Sequence, residues 1–107
     1  ARVPAAQIFL PYALSKAAIC TLTHALARAL GPSGINVNAI APGLIATEAS
    51  LGKRDSDKLT ELAVREQSFQ RPGQPTDLLG AAVFLASVDS DFITGQVIYV
   101  DGGTVML

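Results

Sequence analysis

The chain has 107 residues, of which half are hydrophobic and 16% are charged, and its formal net charge is -1. This composition predicts a compact globular protein of at most one domain, and the lack of a lysine- or arginine-rich run disfavours nucleic acid or an anionic membrane as partner. Neither a charged leader before a hydrophobic segment nor an apolar run of membrane-spanning length occurs, so we expect a cytoplasmic protein with no membrane partner. The single cysteine, Cys20, excludes an internal disulfide and favours a buried thiol, and no metal-ligand pattern is present.

The clearest helix is predicted over residues 12–30, with Pro11 near its start and Gly31-Pro32 at its end. Between Ala17 and Leu30, only His24 and Arg28 are charged or readily charged. A helix that is apolar around most of its circumference is usually covered on more than one side. We therefore expect a sheet against one side of this helix and a second subunit against the other.

Tyr12 and Lys16 stand four residues apart at the start of this helix. The spacing puts a phenol and an ammonium on one side of the helix, about one turn apart. Because a nearby cation stabilises phenolate, such a tyrosine can exchange a proton near neutral pH, which points to carbonyl/alcohol redox chemistry. The spacing alone is a weak signal, and a surface lysine beside a half-buried tyrosine is the alternative interpretation.

The first strand is predicted over Ile35–Ala41, where apolar and polar residues alternate before the sequence becomes wholly apolar, and Pro42-Gly43 ends it. A helix that leads into a strand through a short turn is half of a βαβ crossover, which implies a parallel strand before the helix.

The remaining sequence predicts two further helices and a second strand, which gives the order helix-strand-helix-helix-strand of an α/β protein. Asp77 is interpreted as ordering the start of a helix. The elements are an amphipathic helix over 55–68, a break at Arg71–Pro75, a helix from Thr76 as N-cap to about Ser87, and a strand over Gln96–Val100 that ends at Asp101-Gly102-Gly103.

Several short sequence blocks occur in an order that resembles the C-terminal half of a short-chain dehydrogenase/reductase, a family that includes the 3-oxoacyl carrier-protein reductases. The resemblance runs from Tyr12 to Gly103, and its specificity comes from the order of the blocks rather than from any one of them. The blocks are Tyr12-x-x-x-Lys16, Gly34-Ile35-x-Val37-Asn38-x-Ile40-x-Pro42-Gly43, Thr47, Arg71-x-Gly73-x-Pro75-x-Asp77, Phe84-Leu85-Ala86-Ser87, Ile93-Thr94-Gly95 and Asp101-Gly102-Gly103.

The resemblance implies a fold class and an activity. The fold is α/β, the C-terminal part of a doubly wound parallel (Rossmann-like) sheet, with residues 1–107 forming part of a single domain and the N-terminal nucleotide-binding half absent. The activity is that of an oxidoreductase that transfers hydride between NAD or NADP and a small-molecule carbonyl/alcohol substrate. The complete protein would be a homo-oligomer, either a dimer or a tetramer. The segment Glu48–Gln70 would contact the substrate, with Leu51, Leu59, Leu62 and Phe69 as a possible apolar lid.

The resemblance also implies roles for two side chains in the reaction. Tyr12 corresponds to the family's catalytic tyrosine, which is the general acid/base at the carbonyl oxygen. Lys16 corresponds to the lysine that stabilises the phenolate and hydrogen-bonds the nicotinamide ribose.

Four further residues, by the same resemblance, form the loop that holds the nicotinamide. Ile45 is expected to use its backbone on the carboxamide, and Thr47 its hydroxyl on the carboxamide or the pyrophosphate. Pro42 and Gly43 begin this loop, although a simple strand-ending turn is the alternative interpretation of these two residues.

The family's glycine-rich phosphate loop and its catalytic serine have no counterpart in these residues, and the only methionine is Met106. We therefore expect the true N-terminus to lie upstream, and we expect these 107 residues alone not to turn over substrate. One alternative is a catalytically silent truncated paralogue that acts as an assembly or interaction module. Another is a plain structural α/β module in which the tyrosine and the lysine are coincidental.

Overall fold

The computed structural model describes residues 5–47 and 56–106. Within these ranges the order of elements is the predicted one, and the α/β fold with parallel strands is confirmed. The elements are helix α1 (Ala5–Leu30), strand β1 (Ala39–Pro42), helix α2 (Ser56–Glu66), helix α3 (Leu79–Leu85) and strand β2 (Val97–Val100), with 3-10 turns at Gly31–Ser33, Pro75–Leu78 and Val88–Ser90.

Strands β1 and β2 pair with each other in the described part of the chain. The Ala39 amide donates to the Gln96 carbonyl at 2.9 Å, and the Gly43 amide donates to the Val100 carbonyl at 3.0 Å. From the first bond to the second, the residue numbers increase along both strands, as they do in a parallel ladder. The carboxyl ends of the two strands therefore lie at the same edge of the sheet.

The chain divides into two compact units, which we describe separately. The helix unit comprises Ala1–Ala39 and Phe92–Val97, and the cavity unit comprises Ile40–Asp91 and Ile98–Leu107.

Helix α1 begins at Ala5 rather than near Pro11, so the predicted start at residue 12 was wrong. Proline removes a backbone donor and costs about 3 kcal/mol in a helix interior, which is why it was interpreted as a start. The residues before it, Ala-Ala-Gln-Ile-Phe-Leu, include good helix formers, and the helix continues through Pro11. The predicted end is confirmed, because Leu30 is the last helical residue and Gly34 closes the turn with a φ of 74°.

The first strand was predicted to begin at Ile35, but it begins at Ala39. The alternation of apolar and polar residues that predicted a strand has a different structural basis at Val37 and Asn38. The Val37 amide donates to the Thr94 hydroxyl at 3.0 Å. The Asn38 side chain donates to the Ile93 carbonyl at 2.8 Å and accepts from the Gln96 amide at 3.0 Å. With a backbone bond from the Gly95 amide to the Val37 carbonyl at 2.7 Å, these side-chain bonds take the place of a regular strand ladder before Ala39.

The interior of the helix unit lies where α1 contacts the turn before β2. Ala27 and Thr23 are each only 6% exposed, and a Cβ on Gly95 would lie 3.3 Å from the Ala27 Cβ. Cys20 is half-buried rather than buried, so the prediction of a buried thiol was wrong. No helix in the described ranges is long and apolar enough to cross a membrane.

Two details of the cavity unit also differ from the sequence prediction. The helix predicted over 55–68 spans Ser56–Glu66, and residue 55 lies outside the described residues. The helix predicted from Thr76 to about Ser87 spans Leu79–Leu85, and the 3-10 turn Pro75–Leu78 that precedes it has Gln74 rather than Thr76 as N-cap, because Gln74 and Asp77 form a reciprocal capping box around that turn. The role predicted for Asp77, ordering the start of this helical segment, is confirmed.

Candidate active site

The predicted tyrosine–lysine pair lies on α1 in the helix unit. The Lys16 Nζ is 5.3 Å from the centroid of the Tyr12 ring, within the range of a cation–π contact. The Tyr12 side chain is 62% exposed, and the Ser15 hydroxyl donates to the Tyr12 carbonyl at 2.7 Å. One turn of helix therefore brings together a cation and a phenol that solvent or a ligand can reach.

In the cavity unit, the predicted nicotinamide loop starts at the carboxyl end of β1. A Cβ on Gly43 would lie 2.7 Å from the Asp101 Cα and 2.9 Å from the Asp101 Cβ. Two non-bonded carbon atoms do not come this close. The end of β2 therefore approaches the backbone at residue 43 so closely that only glycine fits there. At this strand-ending turn Gly43 is thus in close contact with Asp101, whereas Pro42 is exposed.

Ile45 forms an isolated parallel bridge with Gly73. The Gly73 amide donates to the Leu44 carbonyl at 3.1 Å, and the Gly73 carbonyl accepts from the Ala46 amide at 2.8 Å. The bridge therefore uses the backbone groups on either side of Ile45 and not those of Ile45 itself. A Cβ on Gly73 would lie 2.7 Å from the Ile45 Cδ1, which a side-chain movement could relieve, and 3.0 Å from the Leu44 carbonyl oxygen, which belongs to the backbone.

Gln67 is the buried amide of the cavity unit, with 7% exposure. Its Nε2 donates to the Phe69 carbonyl at 2.6 Å and to the Arg71 carbonyl. The Phe69 amide in turn donates to the Gly102 carbonyl at 2.9 Å. This set of bonds ties the segment after α2 both to itself and to the residues after β2.

Arg71 and Asp77 form a two-pronged ion pair at the start of α3. The two guanidinium nitrogens of Arg71 donate to the two carboxylate oxygens of Asp77 at 2.7 and 2.9 Å. The guanidinium, with a further bond from the Gln74 amide, lowers the pKa of Asp77 to about 2, and the same pairing raises the pKa of Arg71. Both side chains are partly exposed, so the pair orders this segment more than it stabilises the fold.

Asp101 orders the chain after β2. Its carboxylate accepts from the amides of Val105 and Gly103, each at 2.9 Å. These two bonds, with that of Val105 the larger cause, lower the pKa of Asp101. Gly102 and Gly103 have φ angles of 65° and 82°, which confirms that the glycines permit the tight turn at the end of the strand.

The cavity unit encloses a cavity of about 390 Å³ at the carboxyl ends of its strand segments. Of the four predicted loop residues, Gly43 and Ile45 line this cavity, whereas Pro42 and Thr47 are exposed and are not part of its wall. Of the predicted lid residues, Phe69 lines the cavity and is 64% exposed, and Leu62 is 57% exposed. Leu51 and the side chain of Leu59 lie outside what the structure describes. The described residues contain no group of three or more potential metal ligands.

Sequence reasoning missed the contribution of Gln67 and gave Gly73 only a place in a motif. No local signal identifies Gln67, because its partners are carbonyl groups of a non-repetitive segment. The repeated spacing of glycine and proline after Arg71 does mark a segment with a constrained path, and this was the available clue to Gly73.

A family model described as enoyl-(acyl carrier protein) reductase matches residues 2–105. The chain belongs to the short-chain dehydrogenase/reductase family. A curated relative, the short-chain dehydrogenase/reductase eriH of Hericium erinaceus, is 47% identical over an alignment of 97 positions, and the match covers 86% of this chain and 36% of the relative.

Two solved structures are also similar. One is a 3-oxoacyl-[acyl-carrier protein] reductase with bound NAD from Brucella melitensis, which has a TM-score of 0.78, 40% identity and coverage of 90% of this chain and 34% of that one. The other is a blue fluorescent protein from a metagenomic library in complex with NADPH, with a TM-score of 0.76, 38% identity and coverage of 89% and 37%. The chain thus spans about a third of the length of the proteins it matches.

Proposed function

We propose that the protein carrying this chain is an NAD(P)-dependent oxidoreductase that acts on a small-molecule carbonyl/alcohol substrate, with Tyr12 as general acid/base. The observation that carries the proposal is the exposed phenol of Tyr12 with the Lys16 ammonium 5.3 Å from its ring centroid. Family membership supports it, because relatives of this chain are named as dehydrogenases and reductases.

Tyr12 would hold the proton that the reaction needs. In the direction of reduction its hydroxyl would donate this proton to the carbonyl oxygen, and in the direction of oxidation its phenolate would take the proton from the alcohol. The positive charge of Lys16 would favour the phenolate, and its exposed position on α1 leaves the ammonium available to a ribose hydroxyl. Bound nicotinamide would supply or accept the hydride.

The loop after β1 has features that fit a nicotinamide. Gly43 and Ile45 line the cavity, and the Ile45–Gly73 bridge leaves the amide and carbonyl of Ile45 unused by the strand-like pairing. A carboxamide has one acceptor and two donors, which such backbone groups can satisfy. The similarity to structures that contain NAD and NADPH supports the cofactor class without favouring either form.

The test is nicotinamide oxidation kinetics on the full-length gene product with Tyr12→Phe. We expect kcat to fall by roughly 10²–10⁴-fold, because the proton donor is lost, while the dissociation constant for NAD(P)H changes little. An active Tyr12→Phe variant would contradict the assigned role. A substituted protein that no longer binds the cofactor would indicate a binding role for the hydroxyl instead.

Lys16→Met offers a second test with a matched control. We expect a loss of at least about tenfold in kcat/KM, because the phenolate loses its neighbouring cation. Arg28→Met, at an exposed position of α1 twelve residues further along the same helix, also removes one cation and should leave the kinetics unchanged. Equal effects of the two substitutions would contradict the proposal for Lys16.

We also propose that α1 is an assembly surface of a homo-oligomer. Ile19, Leu22 and Leu26 follow helical spacing along one side of α1 and are 49%, 55% and 39% exposed. Leu22→Arg should lower the mass measured by sedimentation at equal protein concentration, whereas Thr21→Arg, at an exposed polar position, should not. An assembled but inactive gene product would favour the alternative of a silent assembly module.

A further inference from the structure

We propose that Gln67 is a positioning residue that fixes the backbone of Ile45 through the segment 69–73. The inference rests on the proposed function, because Ile45 is the residue expected to meet the nicotinamide carboxamide with its backbone. Gln67 itself would touch neither cofactor nor substrate in this role.

The first step is the bond pattern of the Gln67 amide. A side-chain amide has two hydrogens to donate, and Gln67 donates to the carbonyls of Phe69 and Arg71, two and four positions further along the chain. The residue is 7% exposed, and a Cβ on Gly102 would lie 3.3 Å from the Gln67 Cδ and Nε2. The amide is therefore packed against the turn after β2 on one side and bonded to the carbonyls of Phe69 and Arg71 on the other.

The second step leads from Arg71 to Ile45. Gly73 follows two residues after the Arg71 carbonyl that Gln67 binds, and its amide and carbonyl pair with Leu44 and Ala46 at 3.1 and 2.8 Å. A Cβ on Gly73 would lie 2.7 Å from the Ile45 Cδ1 and 3.0 Å from the Leu44 carbonyl oxygen. Because residue 73 is bonded to the backbone of both Leu44 and Ala46, a change in the path of residues 69–73 would be passed to residues 44–46.

The third step concerns what such a change would alter. The bridge engages the neighbours of Ile45 and leaves the amide and carbonyl of Ile45 on the opposite side of that strand segment. A tilt of the bridge would turn these two groups away from the direction in which they meet a ligand. Hydrogen bonds weaken steeply with misalignment, so the affinity for the cofactor should respond more than the chemical step at Tyr12.

The first variant is Gln67→Met, which keeps the length of the side chain and removes both donors. In the full-length gene product we expect the dissociation constant of NADH or NADPH, measured by fluorescence titration, to rise about tenfold, comparable to the loss of one or two buried hydrogen bonds. We expect kcat at saturating cofactor to stay within about twofold. Gln96→Met is the matched control, because Gln96 is exposed and its side-chain amide donates to the nearby Thr94 carbonyl at 3.2 Å, whereas its bond to Asn38 comes from the backbone amide, which the substitution keeps.

The second variant is Gly73→Ala, which disturbs the C-terminal end of the segment 69–73. It should also raise the dissociation constant of NADH or NADPH. Gly80→Ala is its control, since a Cβ on Gly80 would meet nothing within 4 Å. If both variants act through the bridge, their combined effect should be clearly smaller than the sum of the two in free energy. Gly73→Ala decides the question if Gln67→Met does not fold.

The outcomes separate the inference from the proposed function. A wild-type protein that binds neither NADH nor NADPH would overturn both. A wild-type protein that binds one of them, with unchanged dissociation constants in the Gln67→Met and Gly73→Ala variants, would overturn the inference and leave the proposed function in place. A fall in thermal stability with unchanged affinity would likewise identify Gln67 as a purely structural residue.

Discussion

The helix unit and the cavity unit hold their candidate residues in different ways. In the helix unit, one turn of α1 is enough to bring Lys16 to the ring of Tyr12. In the cavity unit, Gly43 and Ile45 owe their positions to Asp101 and Gly73, which lie far away in the sequence. The difference teaches that the proposed proton donor depends on local helix geometry, whereas the proposed cofactor loop depends on the folding of a whole unit.

The strongest test of this comparison is Gly43→Ala. The added methyl would collide with backbone and Cβ atoms of Asp101, so we expect the free energy of unfolding to fall by about 3 kcal/mol in urea denaturation of the full-length gene product. Gly31→Ala should be neutral or slightly stabilising, because a Cβ there meets nothing within 4 Å. Similar losses in the two variants would remove the distinction between an enclosed and an open glycine.

A second test asks whether the helix unit also needs a distant contact. Asn38→Ala removes one bond to the Ile93 carbonyl and one from the Gln96 amide, and should cost about 2 kcal/mol of unfolding free energy. Asn38→Asp keeps the acceptor for the Gln96 amide but loses the donor to Ile93, so its cost should differ from that of alanine. An unchanged unfolding curve for Asn38→Ala would mean that α1 and its local turns stabilise the helix unit without the two side-chain bonds of Asn38.

The smallest expected effect concerns the pH dependence of the Arg71–Asp77 pair. The folded-state pKa of Asp77 is lowered to about 2, below the ordinary value of about 3.9. The ionised carboxylate therefore stabilises the fold at pH values above about 3.9. This contribution is lost as the pH falls through about 2. The difference in melting temperature between wild type and Asp77→Asn should therefore be constant above about pH 4 and shrink towards pH 2. A difference that grows with acidification would contradict the assigned pairing.

Much of the fold could be predicted because its signals are local. The apolar run up to Leu30, the glycines after β2 and the spacing of Tyr12 and Lys16 each reflect the geometry of a few neighbouring residues. Two predictions were wrong because they relied on a local signal. In one case the helix continued past that signal, and in the other long-range contacts overrode it. Pro11 lies inside α1 instead of starting it, and the alternation before Ala39 serves side-chain bonds to residues near Thr94.

The candidate site was less predictable where it depends on non-local contacts. Gly43 and Ile45 could be assigned through a family resemblance, but nothing in the sequence shows that Asp101 and Gly73 confine them. Gln67 had no recognisable pattern, because its buried amide bonds to main-chain carbonyls of an irregular segment. Contacts of this kind become visible only when the path of the backbone is known.

The parallel pairing of β1 with β2 has a consequence for how this chain folds. Asn38 and Gln96, which are bonded at the entrance to the two strands, are separated by 58 positions. Closing so long a loop costs chain entropy before any strand contact is gained, and topologies of high contact order fold slowly. During synthesis on the ribosome, β1 emerges before α2 and α3, so its pairing with β2 can form only after both helices have been made. The edge of β1 that pairs with β2 therefore stays exposed in the nascent chain, and chaperones should be most important to it in that interval.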